Sequence, residues 1–145
     1  MIKVKVVNTS KNPLPQYMTD GAAAMDLLSN ETVELKPDTT AIVGTGLYVA
    51  IPEGYALHIC SRSGLAANKG VVVSNSPGIL DSDYRGELKV ILRNMSLQVF
   101  DIRVGDRIAQ AMLVEVPKIE WEPIDTISEL STTVRGAGGL GSTGV

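Results

Sequence analysis

An all-β fold, a sandwich or jelly-roll-like barrel, is what this sequence predicts, and three observations predict it. Short β-branched or alternating runs recur at residues 2–7, 31–35, 39–51, 55–60, 71–73, 87–93, 97–104 and 107–116. Turn formers separate them, among them Asn12-Pro13, Lys36-Pro37-Asp38, Pro52-Glu53-Gly54 and Val104-Gly105-Asp106. Long segments with the 3.6-residue period of an amphipathic helix are almost missing, and no internal repeat of fixed period is present.

Taken in order, the chain opens on the strand pattern Ile2-Lys3-Val4-Lys5-Val6-Val7. Next comes Gly21-Ala22-Ala23-Ala24-Met25-Asp26-Leu27, one carboxylate among small residues that allow close backbone approach. Asp26 reads as a helper ligand for a cation, direct or through water, or as a turn residue bonding its own backbone. After the strand Tyr55 to Cys60, Ser63 reads as a helix N-cap, Leu65-Ala66-Ala67 as helix formers and Gly70 as a stop. Arg62, Ser63 and Gly64 at that helix start suit an anion; a capped turn with a surface arginine gives the same pattern. His58 and Cys60 have no partner at a telling spacing and read as structural.

Asn75 to Asn94 concentrates the polar punctuation. Val71-Val72-Val73 and Leu88-Lys89-Val90-Ile91-Leu92 flank it as two strands of a long hairpin, with Asn75, Pro77-Gly78 and Asp81-Ser82-Asp83 as turn formers. In an extended backbone Asp81, Asp83, Arg85 and Glu87 would share one side, which suits a solvated strand face. The same stretch also suits a carboxylate that orients a water or hydroxyl, with Tyr84 as a wall for a flat or ring-shaped ligand. Further on, Gln110 is the polar residue among apolar neighbours in the strand after Gly105-Asp106, and Trp121 reads as a packing anchor for a C-terminal arm. The tail, Arg135 to Gly144, reads either as a loose glycine-rich end or as backbone that closes over phosphates with Arg135, Ser142 and Thr143. It lacks the Gly-Lys-Ser/Thr ending of a P-loop, which excludes that family.

Composition sets the outer bounds. At 145 residues the chain suits one domain. A hydrophobic share of 44% and a mean hydropathy of +0.14 are generous for a small chain and point to apolar surface buried against other subunits. A formal charge of -3 gives no electrostatic footprint for a nucleic-acid polymer. One cysteine excludes an intrachain disulfide and a thiolate metal cluster and suits a reducing compartment. No signal-peptide core and no membrane-length apolar run is visible, so a cytoplasmic setting, or a nuclear one in a eukaryote, is expected, with no membrane partner.

Five ordered segments together hold a phosphate-and-metal inventory: GAAAMDLLS at 21–29, PEGYALHICSRSGLA at 52–66, NSPGILDSDYRGE at 75–87, GDRIAQ at 105–110 and RGAGGLGSTG at 135–144. With these the chain resembles the trimeric dUTPases, the deoxyuridine triphosphate nucleotidohydrolases, over nearly its full length. The resemblance implies a jelly-roll-like homotrimer in which a domain spanning 1–134, arm included, is followed by a phosphate-closing tail, 135–145, that reaches a neighbour. It implies Mg-dependent hydrolysis of dUTP to dUMP and pyrophosphate. Each site would take its hairpin, residues 75–84, from one subunit, Asp26, Arg62 to Gly64 and Gln110 from a second, and the tail from a third.

On that resemblance Asp81 would hold the attacking water in line with the α-phosphorus, and Tyr84 would exclude a 2′-hydroxyl. Asn75, with the Gly78 and Ile79 backbone, would read the uracil edge. Arg62, Ser63, Gly64 and Gln110 would position phosphate oxygens, and Arg135, Gly141, Ser142 and Thr143 would close over them. Mg2+ would be held mainly by the phosphates, with Asp26 reaching it through water. The family's fifth motif usually carries Phe where this chain has Leu140, so stacking on the base would pass to an aliphatic side chain. Two rival readings are a dCTP deaminase of related fold, whose expected extra acid/base group and different Arg-Ser motif are not evident, and a non-catalytic nucleotide-sensing protein.

Overall fold

The computed structural model of the chain describes residues 1–140 and 142. Its strands are β1 (Lys5–Asn8), β2 (Met25–Leu28), β3 (Val33–Leu35), β4 (Thr40–Ala50), β5 (Tyr55–Cys60), β6 (Val71–Val73), β7 (Gly78–Leu80), β8 (Glu87–Asn94), β9 (Phe100–Ile102) and β10 (Arg107–Glu115). The one α-helix among the described residues, α1 (Ser63–Lys69), lies between β5 and β6, and a 3-10 turn spans Ile127–Glu129. One sheet has the order β1-β4-β8-β6, a second β2-β10-β5-β7, and β3 pairs with β9. Every pairing is antiparallel.

Period-two alternation shows why the two main sheets face each other. In β8, Leu88, Val90 and Leu92 are buried while Lys89 and Arg93 point out. From the opposite sheet Leu27, Leu57, Ile59, Ala109 and Ala111 join them in one core, closed by Leu35 and Ile102 of the small sheet. Asn94 is fully buried yet satisfied: its amide nitrogen donates to the Leu35 and Gln98 carbonyls at 2.9 and 2.7 Å, tying β8 to β3.

The all-β expectation holds, and so does the hairpin, since β6 pairs with β8 through Val71↔Asn94 and Val73↔Leu92. Two strands were not foreseen. β2 lies in the alanine-rich stretch around Asp26, and β7 lies inside the hairpin loop, where it leaves its own hairpin and pairs with β5 of the other sheet. The expected segments 31–35 and 97–104 shorten to β3 and β9, and the first strand slides to Lys5–Asn8. Ser63 is not the N-cap of α1: that position is Arg62, extended at φ -88° and ψ 128° with no side-chain cap, while Gly70 closes the helix at φ 65° as expected.

Beyond Glu115 the chain leaves the sheets. Val116 N–H still donates to the Gly54 carbonyl at 2.8 Å, and thereafter residues 117–134 are exposed. Trp121, expected as a packing anchor, is 83% exposed, so within its own chain it anchors nothing. Ile119, Ile124, Ile127 and Leu130 are exposed with it. Among the described residues no helix is long and apolar enough to cross a membrane.

Candidate functional site

Asp26, Arg62, Arg107 and Gln110 form one cluster, and the sheet explains how. β2 and β5 flank β10, with Gln110 opposite Asp26 on one side and Cys60 on the other. The arginine loop therefore leaves β5 beside the carboxylate. Arg62 Nε reaches Asp26 Oδ1 at 2.8 Å, and Arg107 Nη1 reaches Asp26 Oδ2 at 3.3 Å. Arg62 Nη1 also donates to the Arg107 carbonyl at 2.8 Å. Gln110 Nε2 donates to the Ser61 carbonyl at 2.9 Å, so part of the amide expected to meet a ligand braces the loop instead.

Ser61 joins this cluster to the hairpin. Its hydroxyl accepts from Val73 N–H at 2.8 Å, and its own N–H donates to Ser76 Oγ at 3.3 Å. Ser63 and Gly64 are exposed in the first turn of α1, where backbone N–H groups have no intrahelical acceptor. A Cβ on Gly64 would meet nothing within 4 Å, so the chain's own packing does not demand glycine there.

The hairpin forms a second cluster. Asn75, Gly78, Ile79 and Leu80 line a cavity of about 80 Å³ with Ile59 and Val73 behind them. Gly78 is buried, and a Cβ on it would sit 3.3 Å from the Asn75 amide nitrogen, so glycine gives that amide its room. Ile79 points outward from β7, and Asp81, two positions on, is exposed as well. The expectation that Asp81 to Glu87 form one charged strand face fails, because the backbone turns: Tyr84 N–H donates to the Asp81 carbonyl at 3.2 Å. Arg85 then donates back to the Ser82 and Tyr84 carbonyls at 2.8 and 2.7 Å, and Glu87 turns to accept from Gly46 N–H at 2.9 Å. Tyr84 is 43% exposed, its hydroxyl donates to the Glu87 carbonyl at 3.2 Å, and its ring occupies the space a Cβ on Gly86 would need.

Although Ser61 links the hairpin to the arginine cluster, Asp81 and the arginines open into different clefts. Asp81 lines an open cleft of about 610 Å³ with Glu53, Asp83, Arg85 and Lys118, at the root of the C-terminal arm. Arg62 and Arg107 line a different one of about 460 Å³ with Arg103. The two share no lining residue. The larger holds neither Asn75 nor any of the arginine cluster, so size alone does not mark the chemistry.

The tail forms a third, self-contained piece. Arg135 Nε donates to the Gly138 carbonyl at 2.8 Å, Gly138 N–H to the Arg135 carbonyl at 3.1 Å, and Ser142 N–H to the Gly139 carbonyl at 3.0 Å. Leu140 is fully exposed at φ 45°, a left-handed conformation that a non-glycine residue seldom takes. Gly141 and Thr143 lie outside the described residues.

Sequence reasoning passed over Arg107, although it stands in the quoted stretch GDRIAQ. For a metal, no cluster of three or more His, Cys, Asp or Glu exists among the described residues. Asp26 already serves a guanidinium with each oxygen, which leaves it second lone pairs for water-mediated contact and sets a direct metal bond against two cations. The donor set therefore fits Mg2+ only as an ion carried on phosphate oxygens, with one carboxylate in its outer shell.

Comparison with known proteins gives one family. The dUTPase family profile matches residues 10–144. The deoxyuridine 5'-triphosphate nucleotidohydrolase of Helicobacter pylori (strain ATCC 700392 / 26695) is 45% identical over 145 residues, covering 99% of this chain and 98% of that one. The enzyme of the same name from Finegoldia magna is 42% identical, with 99% of each chain covered. Among solved structures, a variant of the Staphylococcus bacteriophage 80alpha dUTPase with dUpNHpp superposes at a TM-score of 0.90, with 27% identity and 100% of each chain covered.

Proposed function

This chain belongs to the dUTPase family, and we propose that it hydrolyses dUTP to dUMP and pyrophosphate in a site shared between copies of itself. Full-length similarity to named nucleotidohydrolases carries the reaction. The opening of Asp81 and of the arginine cluster into different clefts, with Arg135 bonded within its own turn, supports the sharing.

The assembly is a homotrimer of jelly-roll-like barrels. The body, 1–134, ends in an arm whose exposed Ile119, Trp121, Ile124 and Leu130 need a cover that their own chain does not supply. The tail, 135–145, continues from that arm to a neighbour. The hairpin of one subunit faces the Asp26, Arg62 and Gln110 cluster of a second, and the tail of the third closes over both.

In that arrangement Asn75 and the Gly78-Ile79 backbone read the uracil edge from the small cavity, and a rigid cavity rejects an added methyl better than a soft one. Tyr84, locked over Gly86 by its hydrogen bond, lies against the deoxyribose and leaves no space for a 2′-hydroxyl. Asp81 aligns the attacking water with the α-phosphorus. Arg62 with the Ser63 and Gly64 backbone, and Gln110, position phosphate oxygens. Arg135, Gly141, Ser142 and Thr143 complete the enclosure, and Leu140 covers the base. Mg2+ supplies charge neutralisation of the triphosphate when bound, and Asp26 meets its water shell. Positioning and charge stabilisation supply most of the acceleration in such a reaction.

The test is to incubate the protein with Mg2+ and, separately, dUTP, dTTP, dCTP and UTP, following pyrophosphate and ammonia. Pyrophosphate from dUTP alone supports base and sugar selection together. Ammonia from dCTP, or no pyrophosphate from dUTP, contradicts the proposal.

A further inference from the structure

We propose that Arg107 is a second phosphate-binding cation of this site, and that Asp26 is the positioning residue that holds it and Arg62 as a pair. The inference rests on the triphosphate reading above and extends it to a residue to which that reading gives no role.

Strand geometry puts Arg107 where a regular strand would not. Arg107 and Gln110 are an odd number of positions apart, so uninterrupted alternation would send their side chains to opposite faces of β10. The register shifts between Arg107 and Ala109, and the burial pattern records the same event: Ile108 and Ala109 are consecutive and both are buried, at 2% and 0% exposure. Such a bulge re-aims a side chain. Arg107 thereby comes to the face that carries Gln110 and its cross-strand partner Asp26.

Two guanidiniums share the Asp26 carboxylate, and Asp101, Arg103 and Asp106 line the same cavity, so exposure and free donors, not net charge, distinguish the two arginines. Arg62 commits Nε to Asp26 and Nη1 to a backbone carbonyl, and its side chain is 23% exposed. Arg107 commits only Nη1 among the described residues and is 52% exposed, so more of its five N–H donors face outward. A guanidinium fixed at one corner and open at the other is suited to a bidentate hold on phosphate oxygens. Arg107 lines the same cavity as Arg62, so both can meet one polyphosphate.

The test titrates the full chain and Arg107→Gln with the imido analogue dUpNHpp and with dUMP. Arg107→Gln is expected to weaken dUpNHpp about 10-fold or more while dUMP stays within about 2-fold, since the lost contact is a charge-assisted hydrogen bond to the outer phosphates. Unchanged dUpNHpp binding, or equal weakening of both ligands, overturns the assignment. Should Arg107→Gln not fold, Arg107→Lys decides, because a point charge without the fork is expected to bind dUpNHpp less tightly at an unaltered dUMP affinity.

Asp26→Asn, titrated in EDTA to remove metal, separates positioning from charge. Losing an anion beside phosphates would tighten dUpNHpp by simple attraction, whereas losing the shared anchor weakens it, and tightening overturns the positioning role. Pyrophosphate release by the unaltered chain judges the hydrolysis reading separately. Normal turnover with unmoved dUpNHpp binding in Arg107→Gln rejects only the arginine. The expected binding pattern without turnover rejects only the hydrolysis. A wild-type chain that binds neither ligand overturns both.

Discussion

The arginine cluster and the glycine-rich tail carry similar chemistry, a guanidinium beside hydroxyls and glycine backbone, but the fold treats them differently. Arg62 is held by a carboxylate and a carbonyl on two strands of the same sheet, and Gln110 braces the loop that carries it. Among the described residues Arg135 bonds only to its own turn, and Leu140, five positions on, is fully exposed. Folding the sheet already orders the first cation. On the proposed reading, ordering of the second awaits substrate and a neighbouring copy and costs binding energy at that moment. On that same reading, changes in the cluster act on ground-state affinity and changes in the tail on closure.

Four changes bear on this account, two of them in the tail and two in the hairpin. The largest effect is expected at Asp81, which belongs to neither region: Asp81→Asn should lower kcat about 1,000-fold, the scale of general acid-base catalysis, with dUpNHpp affinity retained. Stopped-assay pyrophosphate release checks the first part and calorimetry the second; near-normal release refutes the water-orienting role. Removing residues 135–145 should lower kcat about 100-fold through lost positioning, yet leave the thermal unfolding midpoint unchanged. A lowered midpoint would mean that the tail is part of the folded body after all.

Smaller effects sharpen the picture. Gly86→Ala places a methyl where the Tyr84 ring lies, so the ring must move, and discrimination of dUTP against UTP should fall about 10-fold in kcat/KM. Unchanged discrimination would remove Tyr84 from sugar selection. Leu140→Phe should lower the KM for dUTP about 2- to 10-fold, from an aromatic pair contribution of about 0.5–1.5 kcal/mol. An unchanged or higher KM would deny residue 140 a place over the base.

What the sequence revealed follows the range of the forces involved. β5, β6, β8 and β10 were legible because alternation and turn residues are local signals, and β8 has its apolar positions on one face. β7 was not, since Gly78 to Leu80 are ordered by β5, distant in sequence, and not by their own hairpin partner. β2 was hidden by small residues of high helix propensity. Ser63 matched the chemistry of a helix cap, but its backbone is already helical, so Arg62 takes that place.

The site residues were recognised only as a set of spaced motifs. Their pairing was out of reach, because a bulge between Arg107 and Ala109 breaks the period from which faces are read. Trp121 shows the opposite failure: its size suggested a packing role, yet among the described residues it stays exposed.

Sharing of the site between copies is the central claim, and co-refolding two inactive variants measures it. Asp81→Asn and Arg62→Gln refolded together at equal ratio should recover about one quarter of wild-type turnover, because in a closed homo-oligomer a quarter of sites draw an intact hairpin and an intact arginine from neighbouring chains. Activity that stays at the level of the separate variants would show that each chain carries Asp81 and Arg62 to the same substrate by itself.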